Sequence, residues 1–245
     1  MYQQIISTEK TLGKDEFNSF LESDEEIDYF YSKGHILGKL NRLQKSVLMT
    51  KNNDYINEMI LDFIKESPEH INEKNNMGLT ALNLACGCIT FASNLKTIKI
   101  LLENGADSNI PDNYGYTPLI SAVIFGTDDK IYETVLLLMK HGANPNLKDN
   151  NGMTALMHST LLTLSETNLE IVKLLLENKS NPNIQDKNGL NALTMLLKNC
   201  YKYSTLDTMV LLLDYKTIIN IDDIYSQVDD NPNEKISKAI LDLIL

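Results

Sequence analysis

Tryptophan is absent from the 245 residues, aromatics of all kinds make up only 7%, and Arg42 is the single arginine. A chain so poor in arginine, with no dense lysine patch, lacks the positive surface that phosphate contacts need, so nucleic acid is not an expected ligand. Three cysteines, Cys86, Cys88 and Cys200, are too few and too odd in number for a disulfide framework, which points to a reducing compartment. Apolar runs such as VLLLM at 135–139 fall far short of a membrane span. The opening MYQQIISTEK has no basic stretch followed by an apolar one, as a signal peptide would. The expectation is a soluble, cytoplasmic protein with no membrane association.

Chemistry is equally sparse. No glycine-rich phosphate loop and no nucleophile motif occurs. The histidines, His35, His70, His141 and His158, lie far apart; His141 sits in a polar loop, and His158 reads as a half-buried helix residue. Cys86 and Cys88, two apart on a helix, diverge by about 200°, and with no second Cys/His pair nearby zinc is disfavoured. The aspartate pairs 128–129, 222–223 and 229–230 read as caps and solvated loops. No catalytic, cofactor-binding or metal-ligating residue is assigned, and the chain is read as a non-enzyme.

What is present is asparagine, 27 copies beside 21 lysines, the residue usage of an AT-rich genome. The net charge of −11 is uneven: residues 1–30 hold eight acids against two lysines, and 221–245 hold six against two. Above all, the chain repeats itself, and self-similarity decides architecture before any motif does. Gly78, Gly115, Gly152 and Gly189 are each 37 residues apart. Thr80, Thr117, Thr154 and Asn191 keep that period, as do Leu82, Leu119, Leu156 and Leu193, and Asn72, Asn109, Asn146, Asn183 and Asn220.

Each unit reads as turn, helix, break, helix. An Asp/Asn-Asn-x-Gly start is turn chemistry in which Gly supplies positive φ. Thr or Thr-Pro then opens a first helix, with small residues at Ala81, Pro118, Ala155 and Ala192 and at Ala85, Ala122 and Ser159. Asn94, Asp128, Ser165 and Ser204 are candidate caps for a second helix. Its apolar stripe is Leu95, Ile98, Leu101 and Leu102, and the same face recurs a period later each time. Glycine closes the second helix in ENGADSN (103–109) and KHGANPN (140–146).

The pattern G-x-T-A/P-L, two small residues, then LL-x-x-G-A-D/N-x-N resembles the ankyrin repeat, from residue 71 to about 222. The resemblance implies an all-α ankyrin-repeat solenoid of stacked helix-turn-helix units with β-turn fingers, here with period 37 where the family has about 33. The excess lies between the helices, and the last unit erodes, with Asn191 for Thr, Leu196 for a small residue and Lys216 for Gly. Period and residue usage together resemble the ankyrin proteins of giant DNA viruses of amoebae.

Four repeats are placed at 75–222. Residues 46–74 read as a degenerate first repeat with Ile56, Met59, Ile60 and Phe63 as its outer stripe. A repeat stack must shield its terminal apolar faces, so 1–45, with amphipathic helix over 14–34, is expected as an N-terminal cap, a separate interaction helix being the alternative. Residues 223–245 are expected to carry a C-terminal capping helix.

The resemblance implies partner binding on a concave face made by finger tips and inner helices. The residues it places there are Met77, Leu79, Tyr114, Tyr116, Asn151, Met153, Asn188 and Leu190 on fingers, with Ile124, Phe125 and Leu161 (and Leu162) beyond them. For the column Leu79, Tyr116, Met153 and Leu190 the alternative is packing of finger against finger. Function is read as a non-catalytic module, expected to be a monomer, that binds a protein partner, as a viral or effector protein acting on a host factor would. The alternative is a substrate adaptor that reaches a ubiquitin ligase through its terminal segments.

Overall fold

The first helix of every repeat begins at a capping side chain. Thr117 Oγ1 accepts from the amide of Ile120 (3.3 Å), Thr154 Oγ1 from Met157 (3.4 Å), and Asn191 Oδ1 from Thr194 (2.9 Å). Thr80 does the same for Asn83 (3.2 Å), so the threonine column marks helix starts through the acceptor its side chain supplies. In the computed structural model, residues 30–31, 35–36, 40–48, 50, 54–87, 95–126, 130–161, 166–198 and 204–218 are described.

The chain divides into two compact units, Met1–Asn144 and Pro145–Leu245. The first holds α1 (Arg42–Val47), α2 (Asp54–Glu66), a 3-10 turn (Pro68–Asn72), α3 (Ala81–Gly87), α4 (Leu95–Glu103), α5 (Pro118–Phe125) and α6 (Lys130–Lys140). Within it α1, α3 and α5 pack side by side as inner helices, and α2, α4 and α6 form the outer row. The second unit holds α7 (Ala155–Leu161), α8 (Glu166–Glu177), α9 (Ala192–Lys198) and α10 (Ser204–Asp214), with α7 against α9 and α8 against α10. The helix pairs of ankyrin type are therefore present in both units.

Apolar stripes hold the rows. Ile98, Leu101, Val135 and Leu138 are completely buried in the first unit, and Leu175 and Leu212 in the second. Ala85 and Ala122 are equally buried, and their small side chains let neighbouring inner helices approach closely. Burial at roughly 25 cal/mol per Å² of apolar surface makes these stripes the main source of stability.

Two elements differ from the sequence reading. The first helix pair opens at Asn41, inside the segment assigned to the cap, and not at 46. Asn41 and Gln44 form a reciprocal capping box, Gln44 N to Asn41 Oδ1 at 2.8 Å and Asn41 N to Gln44 Oε1 at 3.1 Å. On α2 the buried face is Ile56, Asn57, Ile60 and Ile64, with Met59 and Phe63 half-buried. Helical reading of 14–34 also does not extend over its last described residues. Phe30–Tyr31 (β1) pairs antiparallel with His35–Ile36 (β2), Phe30 opposite Ile36. The remainder of 1–29, the interhelix segments 88–94, 127–129, 162–165 and 199–203, and the C-terminal segment 219–245 lie outside the described residues. So do Cys88, Cys200, Leu162 and the candidate caps Asn94, Asp128 and Ser165.

The asparagine column has a specific job. Asn109 Nδ2 donates to Gly142 O (3.0 Å) while its Oδ1 accepts from the Asn144 amide (2.7 Å). Asn72 spans to Gly105 and Asp107 in the same way (3.2 and 2.8 Å). In the second unit Asn146 reaches Lys179 and Asn181 (3.1 and 2.7 Å), and Asn183 reaches Lys216 and Ile218 (3.3 and 2.6 Å). Only a short side chain with donor and acceptor side by side satisfies a carbonyl and an amide of the next repeat together.

The loop that receives this contact needs a left-handed residue. Gly105 and Gly142 supply it, but Lys179 (φ 69°) and Lys216 (φ 57°) take the same conformation with a side chain. Lys179→Gly is expected to raise stability by about 0.5–1 kcal/mol, the relief of left-handed strain less the added entropy of an unfolded glycine. A thermal melt should move up by about 2–4 °C; an unchanged or lower midpoint would show that Lys179 is unstrained.

Candidate partner-binding surface

Fingers are built around one carboxylate or amide each. Asp112 Oδ1 accepts from the amides of Tyr114 and Tyr116, both at 2.8 Å. Asn75 holds Met77 and Leu79 (3.0 and 2.9 Å), Asp149 holds Asn151 and Met153 (2.8 and 2.9 Å), and Asp186 holds Asn188 and Leu190 (both 2.8 Å). Each of these residues also donates its own amide to the carbonyl four residues on, at 2.9–3.0 Å. Side chains two and four places past the acidic or amide residue are thus presented on a closed, preorganised loop.

In the first unit adjoining fingers are stitched together by Asn113 N to Met77 O (3.0 Å) and Asn113 Nδ2 to Asn76 O (2.9 Å). On them Tyr114 is 40% exposed and stacks on half-buried Tyr116, ring centres 5.9 Å apart. Tyr116 in turn meets Phe125 of α5 edge to face at 6.2 Å. Met77 and Ile124 are half-buried. Aromatic pairs in this geometry add roughly 0.5–1.5 kcal/mol to their area burial, so the tyrosines are rigidly held.

Two sequence assignments are corrected here. Leu79 and Phe125 are 5% and 4% exposed, so they belong to the core beneath the fingers and offer a partner no surface. Their columns are apolar because that space must be filled. In the second unit Asn151, Asn188 and Leu161 are exposed, and Met153 and Leu190 half-buried, with Lys187 N donating to Asn151 O at 3.0 Å. The single apolar column thus mixes buried and accessible side chains.

His158, read from sequence as merely half-buried, reaches from α7 to its own finger. Its Nε2 lies 2.9 Å from Asp149 Oδ2, and the Asp149 side chain is fully buried. Burial by itself would raise the Asp149 pKa, but the bond from His158, the amides of Met153 and Asn151 and the histidine's charge together hold it below the usual carboxylate value. With the folded value depressed, this carboxylate stabilises the fold above about pH 4, and the contribution is lost as pH falls through the folded value. Acid unfolding of Asp149→Asn is expected to be shallower than that of the parent below about pH 4, read by circular dichroism; parallel acid limbs would show that Asp149 carries no such linkage.

His70 lies exposed between Glu69 (3.7 Å) and Glu73 (3.2 Å), and His141 bonds its own helix at Leu137 O (2.9 Å). Among the described residues no group of three His, Cys, Asp or Glu is placed to hold a metal, and no helix is long and apolar enough to cross a membrane.

Comparison with known proteins agrees with this geometry. The family model described as ankyrin repeats, in three copies, matches residues 47–149 and 127–223. An ankyrin repeat protein of Acanthamoeba polyphaga mimivirus is 33% identical over 102 residues, 42% of this chain and 16% of that protein. A second from the same virus is 41% identical over 61 residues, 25% of this chain and 11% of its own length. Neurogenic locus notch homolog protein 1 of Xenopus tropicalis is 43% identical over 65 residues, 26% of this chain and 2% of that protein. The chain therefore spans a small part of these relatives.

Proposed function

Because the chain belongs to the ankyrin-repeat family, whose repeats are protein–protein interaction modules, we propose that it is a non-catalytic module that binds a protein partner through its finger and inner-helix surface. The observation that carries this reading is Tyr114, a large aromatic side chain 40% exposed on a loop pinned by Asp112 and by the neighbouring finger. Exposed, rigid tyrosine is the residue type that anchors interfaces, because little side-chain entropy is lost when it is covered. Tyr116 stacks on it, half-buried Met77 and Ile124 are the further candidates of the first unit, and Asn151, Met153, Leu161, Asn188 and Leu190 are those of the second. Similarity to mimivirus proteins supports a viral chain, and the partner proposed for it is a host factor in the cytoplasm.

Capture from an Acanthamoeba extract tests the reading. A protein retained by the parent chain should be lost, by about tenfold or more, with Tyr114→Ala combined with Met77→Ala, the loss expected from removing two contact side chains. Both positions are outside the core, so the helical circular dichroism should be unchanged. Retention of the same protein by the double variant would place the contact elsewhere.

A further inference from the structure

Four fingers share one backbone design; in the fourth, Asp186 Oδ2 accepts from Asn188 Nδ2 (3.2 Å) within the finger, whereas in the third the second carboxylate oxygen is met by a side chain of the inner helix. Asp149 Oδ1 holds the amides of Asn151 and Met153, while Oδ2 meets His158 Nε2 at 2.9 Å, nine residues on and from the inner helix α7. At the same place in the other repeats stand Leu84, Ser121 and Met195. An alkyl chain and a thioether have no proton to give a carboxylate, and the Ser121 hydroxyl is buried without a hydrogen-bond partner. The histidine side chain is only 12% exposed and the aspartate is closed off from water, so the bond is shielded from solvent competition.

We infer that His158 is a positioning residue for the third finger: it fixes Asp149, and through Asp149 the backbone at Asn151 and Met153, in the geometry that presents those two side chains for contact. The inference rests on reading the finger surface as the partner-contact face. A donor on the rigid helix leaves Asp149 one rotamer, in which Oδ1 points at both amides. Without it the carboxylate is buried with half its acceptors unmet, and rotating toward water releases the finger. The third finger is thereby clamped from its own helix as well as from its backbone.

Amide hydrogen exchange on the full chain, read by NMR, tests this without a partner. In His158→Leu, which installs the residue found at position 84, Asn151 and Met153 amides should exchange faster by about tenfold or more, the equivalent of one lost bond to a charged acceptor. Asn188 and Leu190, held by Asp186 in the same unit, should stay within about twofold, since local opening at one finger need not propagate. The Asp149 carboxyl should titrate at higher pH than in the parent, because burial is then less opposed. His158→Gln, which keeps a donor, should bring Asn151 and Met153 back to within about threefold of the parent. If His158→Leu does not fold, His158→Asn, polar but too short to reach, replaces it with the same expectations. Unchanged protection at Asn151 and Met153, or equal loss at Asn188 and Leu190, would overturn the inference. Since no partner enters these measurements, failure of the capture experiment alone would count against the binding surface and leave this result standing.

Discussion

Gly78→Ala is expected to cost about 2–4 kcal/mol in urea unfolding, against about 1 kcal/mol for Gly189→Ala. Both glycines are left-handed, at φ 74° and 78°, so the intrinsic strain of adding a side chain is the same. Their surroundings are not. A Cβ on Gly78 would lie 2.5 Å from Asn113 Oδ1 and 2.7 Å from Asn113 N, whereas one on Gly189 meets nothing within 4 Å. The Asn113 amide cannot retreat without giving up its bond to Met77 O, so the clash falls on backbone that stitches two fingers. Equal losses at the two positions would show that strain alone matters and that the stitching contributes nothing.

The second large effect is expected at Asn83, buried completely on α3. Its Nδ2 donates to Tyr116 O (3.1 Å) and Ile110 O (3.3 Å), and its Oδ1 accepts from Thr80 N (3.0 Å) and Thr80 Oγ1 (2.7 Å). One side chain therefore closes the helix cap and holds the base of the next finger. Asn83→Ala should lose about 2–4 kcal/mol, the sum expected when partly buried carbonyls lose their donor beside a small cavity. In the preceding repeat Gln44 performs the same task, donating to Leu79 O (2.8 Å) and Glu73 O (3.1 Å). Gln44→Ala should follow the same course, and a loss below about 0.5 kcal/mol at both sites would show these bonds to be neutral against water.

The difference between these two residues shows where sequence reading succeeds. Turn glycines, capping threonines and the leucine stripes stand in register at 37 residues, and each has a local cause that needs no neighbour to be recognised. Gln44 escapes the register because its cap, Asn41, precedes Thr80 by 39 residues, although the Asn-x-x-Gln capping box was there to be read. The asparagine column was visible as a column, but its purpose depends on partners 33 and 35 residues away that only the folded stack brings within reach. Leu79 and Tyr116 occupy one column with the same apolar character; which is covered depends on the packing around it, and spacing does not report that. His158 carried no signal at all, since its partner Asp149 is a turn residue in every repeat and the bond crosses from finger to helix.

Whether the exposed finger tyrosine touches another protein is read directly by site-specific photocrosslinking. A benzophenone side chain is placed at Tyr114 in one preparation and at Lys99, exposed on the outer helix α4, in another. After irradiation in the Acanthamoeba extract, a covalent adduct to one protein is expected from position 114 and none from position 99. Adducts from position 99 alone, or equal labelling from both, would contradict a partner-binding finger face.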